Sequence, residues 1–309
     1  MKASPAGAAG AFNGNTTKGE RDMAVDTQKY DPSRMGRKIG REEARRLQLE
    51  MLDALAAYCD ANGLVYYLSG GTLLGAVRHG GYIPWDDDID VNMPRPDYER
   101  LVAMTGGRLG DHLEIAAPEG PITHSTSFPR LLDTRYVLMS CSKDGRSPYY
   151  TNLFIDIFPI EGLPADPKRA RWHYVWTKSM IVMRKLAYFH EVPTGPVGLS
   201  LMLRHMAKPF AKLLGYRFWN RRLLDLAKRY RYEDCEYVGV VTGYVHTMEE
   251  YIRKEGYGTP VRVMFEGRSY NAPADTDRYL RNLYGNYMEL PPEDKREAHF
   301  FDIWEIKEG

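Results

Sequence analysis

An α+β fold is predicted by three observations. Strand-period and helix-period apolar patterns are mixed through the first 165 residues, the signature of a sheet flanked by helices. After "EGLPADP" the pattern turns mainly helical and strongly basic, with 15 Lys or Arg against two acids, Glu191 and Asp225, over residues 168–231. The apolar content of 43% over 309 residues is enough for a sizeable core. The expected division is a disordered tail over 1–35, a catalytic core over 36–165, and a mainly helical region over 166–309 that packs on the core and completes its site.

The elements follow in order. "REEARRLQLEMLDALAAYC", residues 41–59, places Leu47, Met51, Leu52, Leu55 and Tyr58 on one helical face. Asn62-Gly63 ends it. "LVYYLS", 64–69, reads as a buried strand, and "GGTLLGAVR" as a glycine turn entering a short helix. "DIDVNM", 88–93, alternates polar and apolar as a strand does. Pro94 and Pro96 close it, and "DYERLVAMT" from Asp97 is a further helix. "RLLDTRYVLMS", 130–140, and "NLFIDIFPI", 152–160, read as strands. Near the end, "DTDRYLRNLYGNY" is a helix capped at Asp275 or Thr276 and stopped at Gly285.

Composition narrows the function. The net charge of +1 gives no global pull toward any partner. Cys59, Cys141 and Cys235 form no CxxC, so a zinc site or disulfide framework is not expected and a reducing cytoplasm fits. The first 30 residues hold no apolar run of signal-peptide length, and no stretch of about 18 apolar residues predicts a membrane span. No nucleic-acid module is recognisable, and nucleic acid is not an expected partner.

The chemistry is concentrated in "WDDDIDVNM". Asp88 and Asp90 point the same way if the segment is a strand, about 6.5–7 Å apart. Two unit charges about 6 Å apart repel by roughly 3 kcal/mol at an effective dielectric of about 20. A half-buried arrangement of that kind asks for a cation, and magnesium, hard and oxygen-seeking, is the natural one. Asp156 stands alone in an apolar strand, which is costly unless it is paired or metal-bound. Beside Asp88 and Asp90 it would complete a set able to hold two ions about 3.5–4 Å apart, the clamp for in-line displacement at phosphorus. Upstream, "SGGT" supplies Gly70 and Gly71 for close backbone approach, Ser69 and Thr72 as hydroxyl donors, and a helix N-terminus for an anion. Strand, Gly-Gly turn, helix, Asp-x-Asp strand and a later lone-Asp strand is the element order of the nucleotidyltransferase fold.

"GGTLLGAVRHGGYIPWDDDIDVNMPRPDYERL" closely resembles the first block of the LicD family, the bacterial relatives of fukutin. "YTNLFIDIFPIEGLP" resembles the second block, and "FEGRSYNAPADTDRYLRNLYGNYMELPP" with His299 the C-terminal one. The resemblance runs over roughly residues 41–299. It implies a metal-dependent phosphotransferase of nucleotidyltransferase-like fold that moves phosphocholine, or a similar phospho-alcohol, from a CDP-linked donor to a cell-surface glycan or its lipid-linked precursor. It further implies Asp88 and Asp90 as ligands of Mg²⁺ (or Mn²⁺), with Asp156 a third ligand or the base for the acceptor hydroxyl. One departure is Gly80, where the block usually has lysine, which would bear on substrate preference if that lysine touches phosphate. Attack on the nucleotide's own phosphorus, or a non-catalytic glycan- or membrane-binding role, are the alternatives.

Other residues carry two readings each. Arg78 and His79 are a phosphate pair or structural. Trp85 covers a quaternary ammonium by cation–π contact or is a core tryptophan. Arg130 reaches into the site from a neighbouring strand or is a solvated or salt-bridged arginine. Asp86 and Asp87 cap a turn or add ligands. Glu266 and Arg268 contact the donor or form a loop salt bridge. His246 shows no metal spacing. The basic helices are solvated faces, a groove for an anionic glycan, or a peripheral contact with the anionic inner face of a membrane.

Overall fold

The computed structural model describes residues 32–118, 121–123, 126–141, 148–189, 199–243, 246–293, 296 and 302–307. Helix α1 (Arg41–Asn62) buries the predicted stripe: Leu47, Met51, Leu52 and Leu55 are sealed, and Tyr58 packs at the edge. Gly63, at φ +60°, caps it in the left-handed conformation that glycine adopts freely. Strand β1 (Met35–Ile39) precedes it, so residues 32–35 are not part of a tail as expected; the first 31 residues lie outside the described ones.

The sheet is built around a long hairpin, β6 (Arg130–Cys141) and β7 (Pro148–Leu163). Its order is β1, β12 (Asp302–Ile306), β6, β7, β3 (Asp90–Pro94), β2 (Tyr67–Leu68). β3 runs parallel to β7, whereas β2–β3, β6–β7, β12–β6 and β1–β12 are antiparallel. Branching from this path, β4 (Leu113–Ala117) joins β6 and β5 (Ile122–Thr123), and β8 (Tyr237–Val240) joins β7 and β9 (Ile252–Arg253). The sheet therefore draws strands from beyond residue 165 as well as before it.

Two expected strands are shorter than their patterns. Only Tyr67–Leu68 of 64–69 pairs, and the Asp-x-Asp strand begins at Asp90, leaving Asp88 in the preceding loop. Helix α2 (Gly70–His79) links β2 to that loop, and α3 (Arg95–Thr105) follows β3 with Pro96 in its first turn, where a missing N–H costs nothing. The C-terminal part holds α4 (Pro167–Tyr188), α5 (Leu199–Leu214), α6 (Tyr216–Ala227), the short α7 (Lys254–Tyr257), the hairpin β10 (Val261–Phe265)–β11 (Arg268–Ala272) and α8 (Thr276–Tyr284). Asp275 caps α8 by accepting from the Arg278 N–H, and Gly285 ends it, as the sequence predicts.

Val91, Ile155 and Ile157 fill one side of the central strands, all fully buried, with Ile89 sealed beside them. On that side, at the far end of β7, Glu161 is bidentate with the Arg95 guanidinium and almost wholly enclosed. Removing one partner of such a pair leaves an uncompensated buried charge. Glu161→Ala is expected to lower unfolding free energy by about 3–5 kcal/mol in urea titration. Arg46→Ala, which breaks the exposed Arg46–Glu50 pair, should change it by no more than about 0.5 kcal/mol.

Candidate active site

The site starts from backbone register. The parallel pairing of β3 and β7 sets Asp90 beside Asp156, held by the Asp156 N–H donating to the Ile89 carbonyl at 2.9 Å. The antiparallel pairing of β6 and β7 sets Arg130 on the other side of Asp156. Arg130 Nε donates to Asp156 Oδ1 at 2.6 Å, and its guanidinium stacks 3.8 Å from the Phe154 ring centroid. Arg130 is thus both salt-bridged and in the site.

The glycine turn closes on the same point. The Ser69 N–H donates to the Asp90 carbonyl at 3.1 Å, and the Asp90 N–H donates to Thr72 Oγ1 at 2.8 Å. These reciprocal bonds bracket Asp90 against the start of α2. Thr72 therefore positions Asp90, a role its place in "SGGT" did not reveal. Gly70 sits at φ +51°, and a Cβ there would lie 2.9 Å from Asp90 Oδ2; a Cβ on Gly71 would lie 2.5 Å from Asp86 Oδ2. Gly70 is favoured by its left-handed backbone, and at both positions a side chain would push a carboxylate aside. Leu73 makes the first helical bond, to the Ser69 carbonyl, so the amides of Gly70, Gly71 and Thr72 fall outside the ladder of α2 itself.

The acidic loop is clamped from α1. Arg41 and Arg45 donate to the Asp86 carbonyl at 3.0 and 2.5 Å, and Gln48 Nε2 donates to the Asp87 carbonyl at 3.0 Å. Asp86 also closes a turn through its N–H to the Ile83 carbonyl, and its carboxyl hydrogen-bonds Asp88. Desolvation first, then repulsion from Asp90, Asp86 and Asp156, pushes Asp88 well above the ordinary carboxylate range. Asp90 is raised by desolvation and by Asp156 and Asp86, with Arg130 opposing. Asp156 is raised by desolvation against the pull of Arg130.

Two groups from the C-terminal part bear on this cluster without any local sequence signal. Glu250 is buried, its Oε2 has no hydrogen-bond partner, and desolvation pushes it up to about 8 against the pull of Lys178. Its field reaches Asp90. The Tyr284 phenol is raised by burial and by Asp90, Glu250, Asp86 and Asp88, although its ring is 37% exposed. His246 packs edge-on to it at 5.5 Å, a structural contact.

Other candidates have partners within the protein. Arg78 is about 12 Å along α2 from Gly70 and donates to the carbonyls of Tyr287 and Glu289 at 2.8 and 3.3 Å. It ties down the C-terminal segment and does not join the glycine pair; His79 beside it is exposed. Trp85 carries the Arg296 guanidinium 5.0 Å from its ring centroid and His79 at its edge, so the ring is engaged within the protein. Gly80 caps α2 at φ +72° with open space around its Cβ position, at the opposite end of the helix from the glycine pair. Glu266 accepts from the Tyr82 N–H at 2.9 Å, and Arg268 pairs with Asp53. Both serve loop structure. His299 lies outside the described residues.

The family model described as "LicD/FKTN/FKRP, nucleotidyltransferase domain" matches residues 63–185, which span the glycine turn, the acidic loop and Asp156. The lipopolysaccharide cholinephosphotransferase LicD of Haemophilus influenzae is 29% identical over 269 residues, 85% of this chain and 97% of that protein. Residues 63–185 thus match the nucleotidyltransferase domain of the LicD family, and similarity to one relative of that family runs over most of the chain. The human and mouse ribitol 5-phosphate transferase FKRP are each 43% identical over 51 residues, 16% of this chain and 10% of FKRP.

The LicD-type cluster has a stability signature. Asp88 and Asp90 ionise well above their ordinary value of 3.8, so the folded state retains protons that the unfolded chain releases. The stability this contributes is present below that value and lost as pH rises through the raised folded values. Unfolding free energy of metal-free protein should therefore decline from about pH 4 upward. Urea titration across pH should show a shallower decline in Asp88→Asn.

Proposed function

We propose that this chain transfers a phospho-alcohol, phosphocholine or a close analogue, from a CDP-linked donor to a hydroxyl of a cell-surface glycan or its lipid-linked precursor. The observation that carries the reading is the register that sets Asp90 beside Asp156 at the glycine-lined start of α2. The names of the relatives, a cholinephosphotransferase and a ribitol phosphate transferase, support phospho-alcohol transfer.

A divalent cation fits these residues. Four carboxylates, Asp86, Asp88, Asp90 and Asp156, repel one another, and Arg130 is the cation paired with Asp156. Among the described residues no three His, Cys, Asp or Glu side chains form a ready-made cage. Magnesium does not need one, because it takes one or two carboxylates and fills its remaining positions with water and substrate phosphate. Asp88 and Asp90 would hold the ion, with Asp156 adjoining; a second ion would share the same acids. When bound, the metal neutralises the diphosphate and polarises its P–O bonds.

The chain's own groups do the rest. The amides of Gly71 and Thr72 at the start of α2 approach the diphosphate, while the Gly70 amide is held by the Tyr279 hydroxyl. Arg130 holds Asp156 in place and favours its charged form, the form needed to grip a cation or to accept a proton. The acceptor oxygen bonds to the distal phosphorus, its proton passes to Asp156, and the P–O bond to CMP breaks with the electron pair leaving on CMP. Catalysis is positioning and charge neutralisation. Residues 36–165 supply the reacting acids, and the C-terminal part completes the site through Glu250 and Tyr284. Such an enzyme would work at the cytoplasmic side of the envelope.

Incubation with Mg²⁺, CDP-choline and a glycan acceptor should release CMP, and chelation with EDTA should stop it. Asp88→Ala and Asp90→Ala should each lower the rate by roughly 10³-fold or more. Undiminished turnover in Asp88→Ala would overturn the reading, and pyrophosphate from CTP would indicate nucleotidyl transfer instead.

A further inference from the structure

Helix α5 is turned inside out. Its side toward α4 is small, with Ala207 and Ala211 packed near Leu186, Ala187 and Trp219. Large apolar residues reach solvent: Met206 is 67% exposed and Leu213 80%, with Met202 and Leu203 alongside, and Phe210 is 54% exposed with one side of its ring against Trp219 at 5.8 Å. Positions 202, 206, 210 and 213 recur at helical spacing, so they form one continuous stripe. The face of α4 that α5 covers, through Met180 and Met183, continues beyond it as Trp172 and Trp176, 62% and 56% exposed. A soluble monomer rarely leaves contiguous apolar surface of this kind uncovered.

Charge says what covers it. Lys212 stands exposed on α5, and Arg221 and Arg222 stand exposed on α6. They belong to the stretch with 15 basic residues against two acidic ones, in a chain of net charge +1. An exposed apolar stripe in a helical region rich in exposed cations, with exposed tryptophans on the adjoining helix, is the pattern of a surface that lies in a bilayer interface over anionic headgroups. A second copy of this chain would instead bring two cationic surfaces together. No helix among the described residues is long and apolar enough to cross a membrane, so the contact is in the interface plane.

We propose that the outward face of α5, with the exposed tryptophans of α4 and the cations of α6, docks on the surface of an anionic lipid bilayer. This goes beyond the phosphotransfer reading and does not depend on it.

The test is flotation of the full chain with two kinds of vesicle, phosphatidylcholine alone and phosphatidylcholine with a quarter phosphatidylglycerol. The protein should float with the anionic vesicles, and added salt should release most of it. The double variant Met206→Glu/Phe210→Glu, altered only at exposed positions, should bind at least roughly tenfold less. So should Lys212→Glu/Arg221→Glu/Arg222→Glu, with melting temperature and CMP release on a water-soluble acceptor unchanged. Failure of the wild type to bind anionic vesicles, or equal binding by both variants, would overturn the proposal. So would a concentration-dependent dimer that Met206→Glu/Phe210→Glu dissociates, because the face would then be a subunit interface. CMP release read in the same samples separates this outcome from failure of the phosphotransfer reading.

Discussion

The parallel pairing of β3 with β7 places two carboxylates, Asp90 and Asp156, side by side on neighbouring strands. Charges about 5 Å apart repel by roughly 3 kcal/mol at an effective dielectric of about 20. The register holds because the same pairing buries Val91 and Ile157 completely, with Ile155 behind them. Each such side chain contributes about 1.5–3 kcal/mol on burial, so the apolar side outweighs the acidic side. A slip of one residue would exchange the two sides, exposing the apolar residues and enclosing the acids in hydrocarbon. The hydrophobic pattern of the strands thus fixes where the charge collects. Arg130, one strand further on, offsets part of the repulsion.

From that constraint the surrounding architecture follows. With Asp90 bracketed by Ser69 and Thr72, α2 begins directly against its carboxylate, and a side chain at 70 or 71 would push Asp90 or Asp86 aside. The loop carrying Asp86 and Asp88 has little regular structure of its own and takes its shape from Arg41, Arg45 and Gln48 on α1. Those donors satisfy loop carbonyls and leave the carboxylates facing one another. The arrangement concentrates negative charge while leaving backbone amides close by, which suits a metal-bound diphosphate better than either a bare cation or a bare anion.

What the sequence revealed and what it hid divide along range. Helix α1, its stop at Gly63, the cap of α8 at Asp275 and the buried side of β7 were readable because each is set by neighbours within a turn or two. Asp156 was readable for a related reason: a lone acid in an apolar strand is an anomaly at any range. Arg78 and Trp85 sit within the same motif block, yet the length of α2 carries Arg78 away from its start, and Arg296 from the C-terminal segment takes the Trp85 ring. Glu250, β1 and the α1 clamp could not be foreseen, since their partners are dozens to hundreds of residues away. Nothing local in "SGGT" says that the Asp90 N–H will reach the Thr72 hydroxyl.

A near-neutral total conceals two opposed accumulations of charge. The acids crowd the end of β3, and the bases crowd the helices that begin at α4. Each accumulation is unfavourable by itself, because like charges raise one another's energy wherever solvent is partly excluded. They are not arranged to neutralise one another: the cation tied to Asp156 is Arg130 of the sheet, and Arg41 and Arg45 of α1 bind carbonyls of the acidic loop. Exposed bases stand on α5 and α6, the same helical region that carries the apolar stripe. Had stability alone shaped the surface, interspersed charges and an inward-facing α5 would serve better. On the readings proposed above, the two separated fields would take two kinds of partner, a small multivalent cation at the acids and an extended anionic surface at the bases.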